Sequence, residues 1–518
     1  MSDRPNAFTS PATWLRRLLV VQESGLALVI LLFCVALALL SGTAATLDFR
    51  KVPAGATVTE TDAAITVVHD GETKVYSKQG VGTMPGAGDG SSLVARSIRP
   101  IIAPARTGWE LRGAGDDQSL RRTRLRNTFL NLENLMEVLV NSSFIAVLAV
   151  GVTCVITLGG IDLSIGSTYA LAAIFGAIAL RYPFSEGFPQ ATLGGGQALW
   201  WGVLALGALM LVGGNALKGM RFTHDADAGV AVRTSPGVLI WVGLGLLIAA
   251  GWQFMDAMQA VGSRVQSGEL PRSPLPGISG VMLALIVCGL VGGVCGWING
   301  ALIVGLRVHP FIITLGTMAA YRGLTALPTN AQSVGYLADP SPNGPSPAGF
   351  QDIIKFTFLG VTPVPVLVMI LVCLLGVFFL TQTVLGRRVF AIGGNETAAA
   401  YAGIPVGRVK TITYTIMGAL AGVAAFLYLG YFGGAEPAAG TGYELKAIAA
   451  AVIGGASLSG GRGSALGAVL GAILVQLIDN GMVMLRIDQS YNNIVLGGAI
   501  IAAVVLDQLK SRLVPTGR

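Results

Sequence analysis

Asp162 is the only acid in the apolar stretch 138–180, inside the sequence GGIDLSIGS at 159–167. A carboxylate in hydrocarbon is expensive, so an acid inside a membrane span is a functional candidate by default. Here it falls at a turn between two apolar runs. There Asp162 or Ser164 can cap the next helix near the interface, by accepting a bond from a free backbone N–H of its first turn. The residues alone favour this plainer role. Asn299 lies beside Gly292, Gly296 and Gly300, whose four-residue spacing makes a flat face for close helix packing. Its amide can bond across that contact, and packing is the favoured role over ligand binding. Glu436, Glu444 and Lys446 cluster in one loop and read as a solvated ion pair rather than the lining of an entrance.

The stretch 386–410, GRRVFAIGGNETAAAYAGIPVGRVK, is polar and basic between two long apolar runs. Asn395 can cap a helix, Glu396 then sits at the positive end of its dipole, and Gly403 and Pro405 stop it. The spacing predicts a short helix over 395–401, either an ordinary loop feature or a docking element that receives force from a soluble partner.

Other chemistry is missing from the sequence. It has no G-x-x-x-x-G-K-[ST] to cradle ATP, no H-E-x-x-H and no G-x-S-x-G. The histidines, His69, His224 and His309, are far apart and fall in predicted loops. Each of the five cysteines lies inside an apolar run, which suits packing and indicates neither a disulfide framework nor a metal site. No cofactor is expected, and a membrane enzyme is disfavoured. Mid-span positions are nearly free of acids and histidines, which disfavours a proton-coupled carrier.

The elements that must hold these residues are membrane helices. A soluble protein carries roughly 25% charged residues. This chain of 518 residues carries 12%, with 53% hydrophobic residues and 71 glycines, and a mean hydropathy of +0.68. Runs of about 18 or more apolar residues read as spans, so the expected class is an all-α polytopic membrane protein. Spans are predicted near 25–42, 137–158, 163–180, 198–214, 237–255, 280–306, 311–327, 363–385, 412–432, 445–459, 463–478 and 492–506. The net charge of +7 gives no nucleic-acid signature, because the basic residues fall between the apolar runs.

Arg16 and Arg17 before the first run place the N-terminus in the cytoplasm. Counting crossings then puts 386–410 and the C-terminal Lys510, Arg512 and Arg518 inside as well. No cleavable signal peptide stands out. Residues 46–126 are a small, partly β, extramembrane insertion. In it AAITVVHDGETKVYSK reads as two strands around an Asp70-Gly71 turn, followed by a Gly/Ser/Pro linker at 80–92. The insertion falls outside despite the run RRTRLR at 121–126, since long loops translocate largely regardless of charge. The sequence 159–177 can also be laid on GGASLSGGRGSALGAVLGA at 454–472, Gly159 on Gly454 and Gly160 on Gly455, as an internal repeat.

Four segments in order, VTCVITLGGIDLSIGSTYALAA, PFIITLGTMAAYRGLT, GRRVFAIGGNETAAAYAGI and AAAVIGGASLSGGRGSALGAVLGA, resemble the permease subunit of bacterial sugar ABC importers of the ribose/xylose type. The matching parts cover roughly 127–181 and 280–510, over half the chain. The resemblance implies a ten-span permease, counting the first span, with its main transmembrane domain at 127–510, in the bacterial inner membrane with both termini cytoplasmic. It implies two permease copies, a separate ABC ATPase subunit and a periplasmic sugar-binding protein. It makes 386–410 the coupling loop, with Gly393, Gly394, Asn395, Glu396, Ala399 and Gly403 facing the ATPase. It places Asp162, Ser164, Thr314 and Asn299 near the translocation pathway. The tails 1–45, with the first span, and 511–518 flank this scheme. Residues 46–126 and a helix pair at 190–270 depart from the family pattern, and removing the pair leaves ten spans with unchanged parity. A monosaccharide such as a pentose is the expected cargo. A related permease for branched-chain amino acids or nucleosides, and a secondary carrier, remain the alternatives.

Overall fold

The computed structural model describes residues 22–81, 106–113, 118–181, 277–335, 350–358, 362–491 and 494–498, with single positions between 203 and 246 and at 501 and 505. The expected helix pair at 190–270, most of the 80–92 linker, most of the last span and the two tails lie outside them.

The first helix, α1 (Gln22–Leu40), leads straight into strand β1 (Thr43–Lys51), which pairs antiparallel along its whole length with β6 (Ser119–Asn127). Between them lie β2 (Thr57–Glu60), β3 (Ala64–His69), β4 (Glu72–Ser77) and β5 (Glu110–Arg112), forming two three-stranded sheets ordered β1-β6-β5 and β2-β3-β4. The expected hairpin is present: Asp70 and Gly71 both have positive φ, 49° and 78°, as the tight turn between right-twisted strands requires. The run RRTRLR is not a loop but lies within β6. Its guanidinium groups have partners: Arg122 reaches Asp48 at 2.8 Å and sits 4.4 Å from the Trp109 ring centroid. Val52, Ile65, Val67, Trp109 and Leu120 form the small core of this unit.

The bundle is built around α2 (Leu132–Thr157), which is buried from Ser142 to its end. An apolar helix with no polar face belongs inside a bundle. Packed on it are α7 (Pro363–Gln382), α10 (Val406–Phe432), α11 (Tyr443–Ile453) and α12 (Ala465–Met484). The others are α3 (Ile165–Arg181), α4 (Gly277–Leu306), α5 (Pro310–Ala326), the short α6 (Phe350–Ile354), α8 (Val384–Gly394) and α9 (Glu396–Tyr401). A small ribbon, β7 (Val334–Gly335) with β8 (Gly434–Ala435), joins the segment after α5 to the one after α10. Among the described residues six helices are long and apolar enough to cross a membrane: α1, α2, α4, α7, α10 and α12.

One predicted span needs correction. The segment 445–459 is not a full crossing helix. α11 has 11 residues, about 16 Å at 1.5 Å per residue. Residues 433–442 lead into it as largely irregular chain, with Gly440 and Gly442 at positive φ, 67° and 82°.

α4 and α10 touch through their backbones. A β-carbon on Gly292 would collide with the Gly418 carbonyl, one on Gly296 with the Tyr414 carbonyl, and one on Gly422 with the Cys288 carbonyl. Overfilling such a contact costs about 1–3 kcal/mol or more. Gly418→Leu is therefore expected to lose most of the monodisperse protein on gel filtration in detergent. Gly289→Ala on the facing helix α4, where nothing lies within 4 Å, is expected to behave as wild type. Equal behaviour of the two variants would refute this account of the helix contact.

The two glycine turns have the same local structure. Gly159 (φ 86°) and Gly455 (φ 99°) each follow a helix end. The N–H of Gly160 bonds to the Val155 carbonyl and that of Ala456 to the Ala451 carbonyl, both at 2.9 Å. This is the glycine-terminated helix cap in which left-handed backbone satisfies the last carbonyls. The geometric match sets Gly159 on Gly455, one residue from the sequence alignment. The loop that follows is longer in the second copy.

Candidate functional site

Two places carry the polar chemistry of the bundle. The first is the 158–164 loop, and it draws together all four of the predicted pathway residues. Asp162 is 1% exposed, and Ser164, Asn299 and Thr314 are fully buried. Asp162 Oδ1 accepts from the Ser164 N–H and hydroxyl, both at 2.7 Å, which closes a turn just before α3 rather than capping its first turn. It is buried rather than at an interface, because α4 and α5 close over it. Asn299 Nδ2 donates to Asp162 Oδ2 at 3.2 Å and to Ser164 Oγ at 2.8 Å. Tyr321 on α5 donates to Asn299 Oδ1 at 3.4 Å. Thr314 and Tyr414 both donate to the Ile161 carbonyl, at 3.3 and 3.4 Å. One loop is thus bonded to three helices. Asn299 lies seven residues before the end of α4, about 10 Å of helix rise, so this joint sits below the surface of the bundle. Among the described residues no lysine or arginine pairs with Asp162, and the carboxylate rests on neutral donors alone.

The second place is the turn formed by α8 and α9. The sequence suggests one helix here; the structure has two. Thr383 caps α8, accepting from the Gly386 N–H at 2.9 Å. Gly386, Val389 and Ile392 face inwards, so Arg387 and Arg388 ride on the outer side of an amphipathic helix. Asn395 caps α9 as expected, its Oδ1 accepting from the Ala398 N–H at 2.9 Å. Such a cap contributes about 1 kcal/mol. Gly403 has φ 80° and ends the helix. Ala399 is buried with Leu158, Val389, Ile392 and Val409.

Glu396 does not stand free at the dipole. Both its oxygens bind Lys410 Nζ, at 2.7 and 2.8 Å, which ties α9 to the first turn of α10. Gly393 is pressed against the Thr157 carbonyl and the Gly461 N–H, with no room for a side chain, while Gly394 is open. The Gly461 N–H itself bonds the Thr157 carbonyl at 2.8 Å. The α8–α9 turn therefore bears on the ends of both glycine turns at once.

Sequence reasoning missed several residues. Tyr401 is 89% exposed at the end of α9, a large aromatic ring that the chain itself does not cover. Its sequence signal was an aromatic residue closing a helix otherwise made of small residues. Lys446 pairs with Asp479 at 2.6 Å rather than with Glu444 in a solvated pair. Glu444 Oε2 and Tyr169 Oη are buried with no hydrogen-bond partner among the described residues. Arg322, a lone cation late in an apolar run, donates from Nη1 to the carbonyls of Pro437 and Ala439, both at 2.8 Å.

Apolar helices around a buried polar joint, with a short water-facing helix lying against the joint's end, define a polytopic membrane transport protein. The chain belongs to the family described as "Branched-chain amino acid transport system / permease component", whose model matches residues 228–504. It is 35% identical over 322 residues to the D-allose transport system permease protein of Escherichia coli (strain K12), covering 61% of this chain and 94% of that protein. It is 41% identical over 236 residues to the ribose import permease protein of Bacillus subtilis (strain 168), covering 45% and 71%. A third relative is the autoinducer 2 import system permease protein of Salmonella paratyphi B, 36% identical over 233 residues, covering 45% and 67%. No solved structure matches the chain. The resemblance carried by the four sequence segments is thus shown, and the chain is a multi-pass permease component of the inner membrane.

Proposed function

We propose that this chain is the membrane-spanning permease of an ATP-driven importer of a neutral monosaccharide. A separate ATPase subunit supplies the energy, an external binding protein supplies the sugar, and a second permease copy completes the pathway. The observation that carries the reading is the α8–α9 turn. It is a capped helix, exposed on one side, clamped to α10 by Glu396 and Lys410 and seated through Gly393 on the ends of α2 and the 454–464 loop. Force applied to that turn reaches three parts of the bundle directly. Gly393, Gly394, Asn395, Glu396, Ala399 and Gly403 shape it. The termini and this turn face the cytoplasm, and the β unit, at the other end of α2, faces outwards.

Asp162, Ser164, Asn299 and Thr314 hold the wall of the pathway in the present state. Their complete burial means that a sugar meets them only after the joint opens. The match to allose and ribose permeases along most of their lengths supports a sugar over the amino acid in the family's description.

The test is uptake of labelled D-ribose and D-allose into proteoliposomes holding the assembled complex. Uptake is expected to need ATP and the binding protein. Uptake by this chain alone, driven by an ion gradient, would instead establish a secondary carrier. In the same assay Glu396→Arg sets two cations against each other at the Lys410 clamp. It is expected to lower binding-protein-stimulated ATP hydrolysis about tenfold, and unchanged stimulation would remove the clamp from the mechanism.

A further inference from the structure

We infer that the cleft at the C-terminal end of α5 is a monosaccharide-binding station on the face opposite α9. This rests on the reading of the chain as the permease of a sugar importer. The cleft lies between the last turn of α5, the chain that follows it and the segment 436–441. Its volume is about 590 Å³, and Arg322, Thr325, Ser333, Glu436, Ala438 and Thr441 are among its walls. Small-molecule sites run from about 300 to 1,000 Å³.

The position follows from the helices. α10 starts beside the α8–α9 turn and runs 27 residues, about 40 Å, to Phe432. The 436–441 segment comes just after that far end. β7 and β8 tie its base to the chain leaving α5, so the two walls are one built surface.

The chemistry of the walls selects a neutral polyol. Arg322 offers donors, Glu436 offers acceptors and the Ser333 hydroxyl can do either, while the hydroxyls of Thr325 and Thr441 already donate to the Arg322 and Ala438 carbonyls, at 2.7 and 2.6 Å, and keep lone pairs with which to accept. A small anion meets Glu436 with the wrong sign, and a metal cation meets Arg322 with the wrong sign. A zwitterionic amino acid would match both charges and could set its alkyl group against Ala326, Ala331, Pro437 and Ala438, so it is the competitor that the test must exclude. A sugar ring presents hydroxyls in several directions, each a donor and an acceptor, which is what these walls complement. Arg322 is also set in place beforehand. Its Nη1 is held by the carbonyls of Pro437 and Ala439 at 2.8 Å, while its Nε and Nη2 meet no acceptor among the described residues. Fixing a donor before the ligand arrives reduces the ordering cost of binding.

A second observation lies behind the same segment. Glu444 Oε2 and Tyr169 Oη, the two buried polar side-chain atoms without a partner among the described residues, flank Gly440. A β-carbon on Gly166 would strike Glu444 Oε2 and the Gly440 carbonyl, and one on Gly440 would meet the Tyr169 ring. A buried polar atom left without a partner is costly, and folded proteins rarely keep one without a use for it. Both lie on the inner side of the segment that forms the cleft wall, where a sugar moving inwards past Gly440 would meet them.

The test uses the reconstituted complex with Thr441→Cys and, separately, Ser333→Cys. Each is assayed before and after reaction with a bulky membrane-impermeant thiosulfonate added from the binding-protein side. The wild-type chain, whose five cysteines lie in α1, α2, α4 and α7, and Lys74→Cys in β4 are the controls. Modification is expected to cut D-ribose or D-allose uptake at least tenfold at both cleft positions. Binding-protein-stimulated ATP hydrolysis should stay within twofold, reducing agent should restore uptake, and saturating sugar but not L-leucine should slow the modification. Unchanged uptake at both positions overturns the station while leaving the permease reading intact. Uptake and stimulation lost together would make the cleft a docking surface for the binding protein, which also overturns it. Protection by L-leucine overturns the sugar assignment, and a wild-type complex that takes up neither sugar overturns both readings.

Discussion

Asn299→Leu is expected to unfold the bundle from its polar joint, with a fall in thermal midpoint large enough to lose most of the protein during extraction. Leucine has the same branched skeleton as asparagine and a larger volume, so the effect is not a cavity. The exchange removes the donor to Asp162 Oδ2 and to Ser164 Oγ together with the weaker of Tyr321's two acceptors, the other being the Cys295 carbonyl at 3.1 Å. Each buried polar atom left unsatisfied costs about 1–3 kcal/mol, more when the group is charged. Asp162 has no second source of charge compensation among the described residues, because its remaining bonds come from Ser164 alone. The exchange Asp162→Asn combined with Asn299→Asp restores a carboxylate and an amide facing each other, now with Tyr321 donating to the acid. That double variant should recover more than half of the lost midpoint. Equal damage in the single and double variants would show that volume and shape, not the bond, hold this joint. The two residues contact each other, so non-additivity is the expected signature.

Tyr401→Ala should have the opposite character, with normal folding and failed coupling. The ring is 89% exposed and contributes nothing visible to packing, so thermal stability should stay within experimental scatter. Exposed aromatics at the centre of a contact are frequent energetic anchors, worth about 2 kcal/mol or more on truncation. Each 1.4 kcal/mol is a factor of ten. Binding of the ATPase subunit and ATP-driven uptake should therefore fall at least tenfold. Tyr401→Phe should retain most of both, since the ring rather than the hydroxyl is what a groove would cover. Normal coupling in the alanine variant would remove α9 from the energetic centre of that contact.

The parts of this structure that were legible in the sequence are those set by neighbouring residues. Asn395 and Gly403 delimit α9 because caps act within one turn, and Asp70-Gly71 makes its hairpin for the same reason. Hydropathy located the long helices because the bilayer, like the bundle core, demands a minimum apolar length. What was not legible depends on distance along the chain. Asp162 and Asn299 are 137 residues apart, and nothing local says that one accepts from the other. Lys446 was read with Glu444 because they are two apart, whereas its partner Asp479 lies 33 residues away. α11 was read as a full span because its alanines merge with the apolar residues of the glycine turn. Only the backbone shows that the helix stops at Ile453. The basic run was placed in a partly β insertion without a strand of its own, because its partners Asp48 and Trp109 lie far from it in the chain.

The ribbon of β1 and β6 bears on how a chain like this can change over generations. Thr43 and Asn127 face each other in its first rung, where paired residues have their Cα atoms about 4.5–5.5 Å apart. The whole excursion between them leaves and rejoins the bundle within one strand spacing. Excising it would ask only for a short turn from α1 to the chain before α2, and acquiring it would have asked no more. A shorter ancestor and this longer descendant could therefore share one set of membrane helices, with the β unit gained, replaced or discarded as a cassette while the transport core stayed in register.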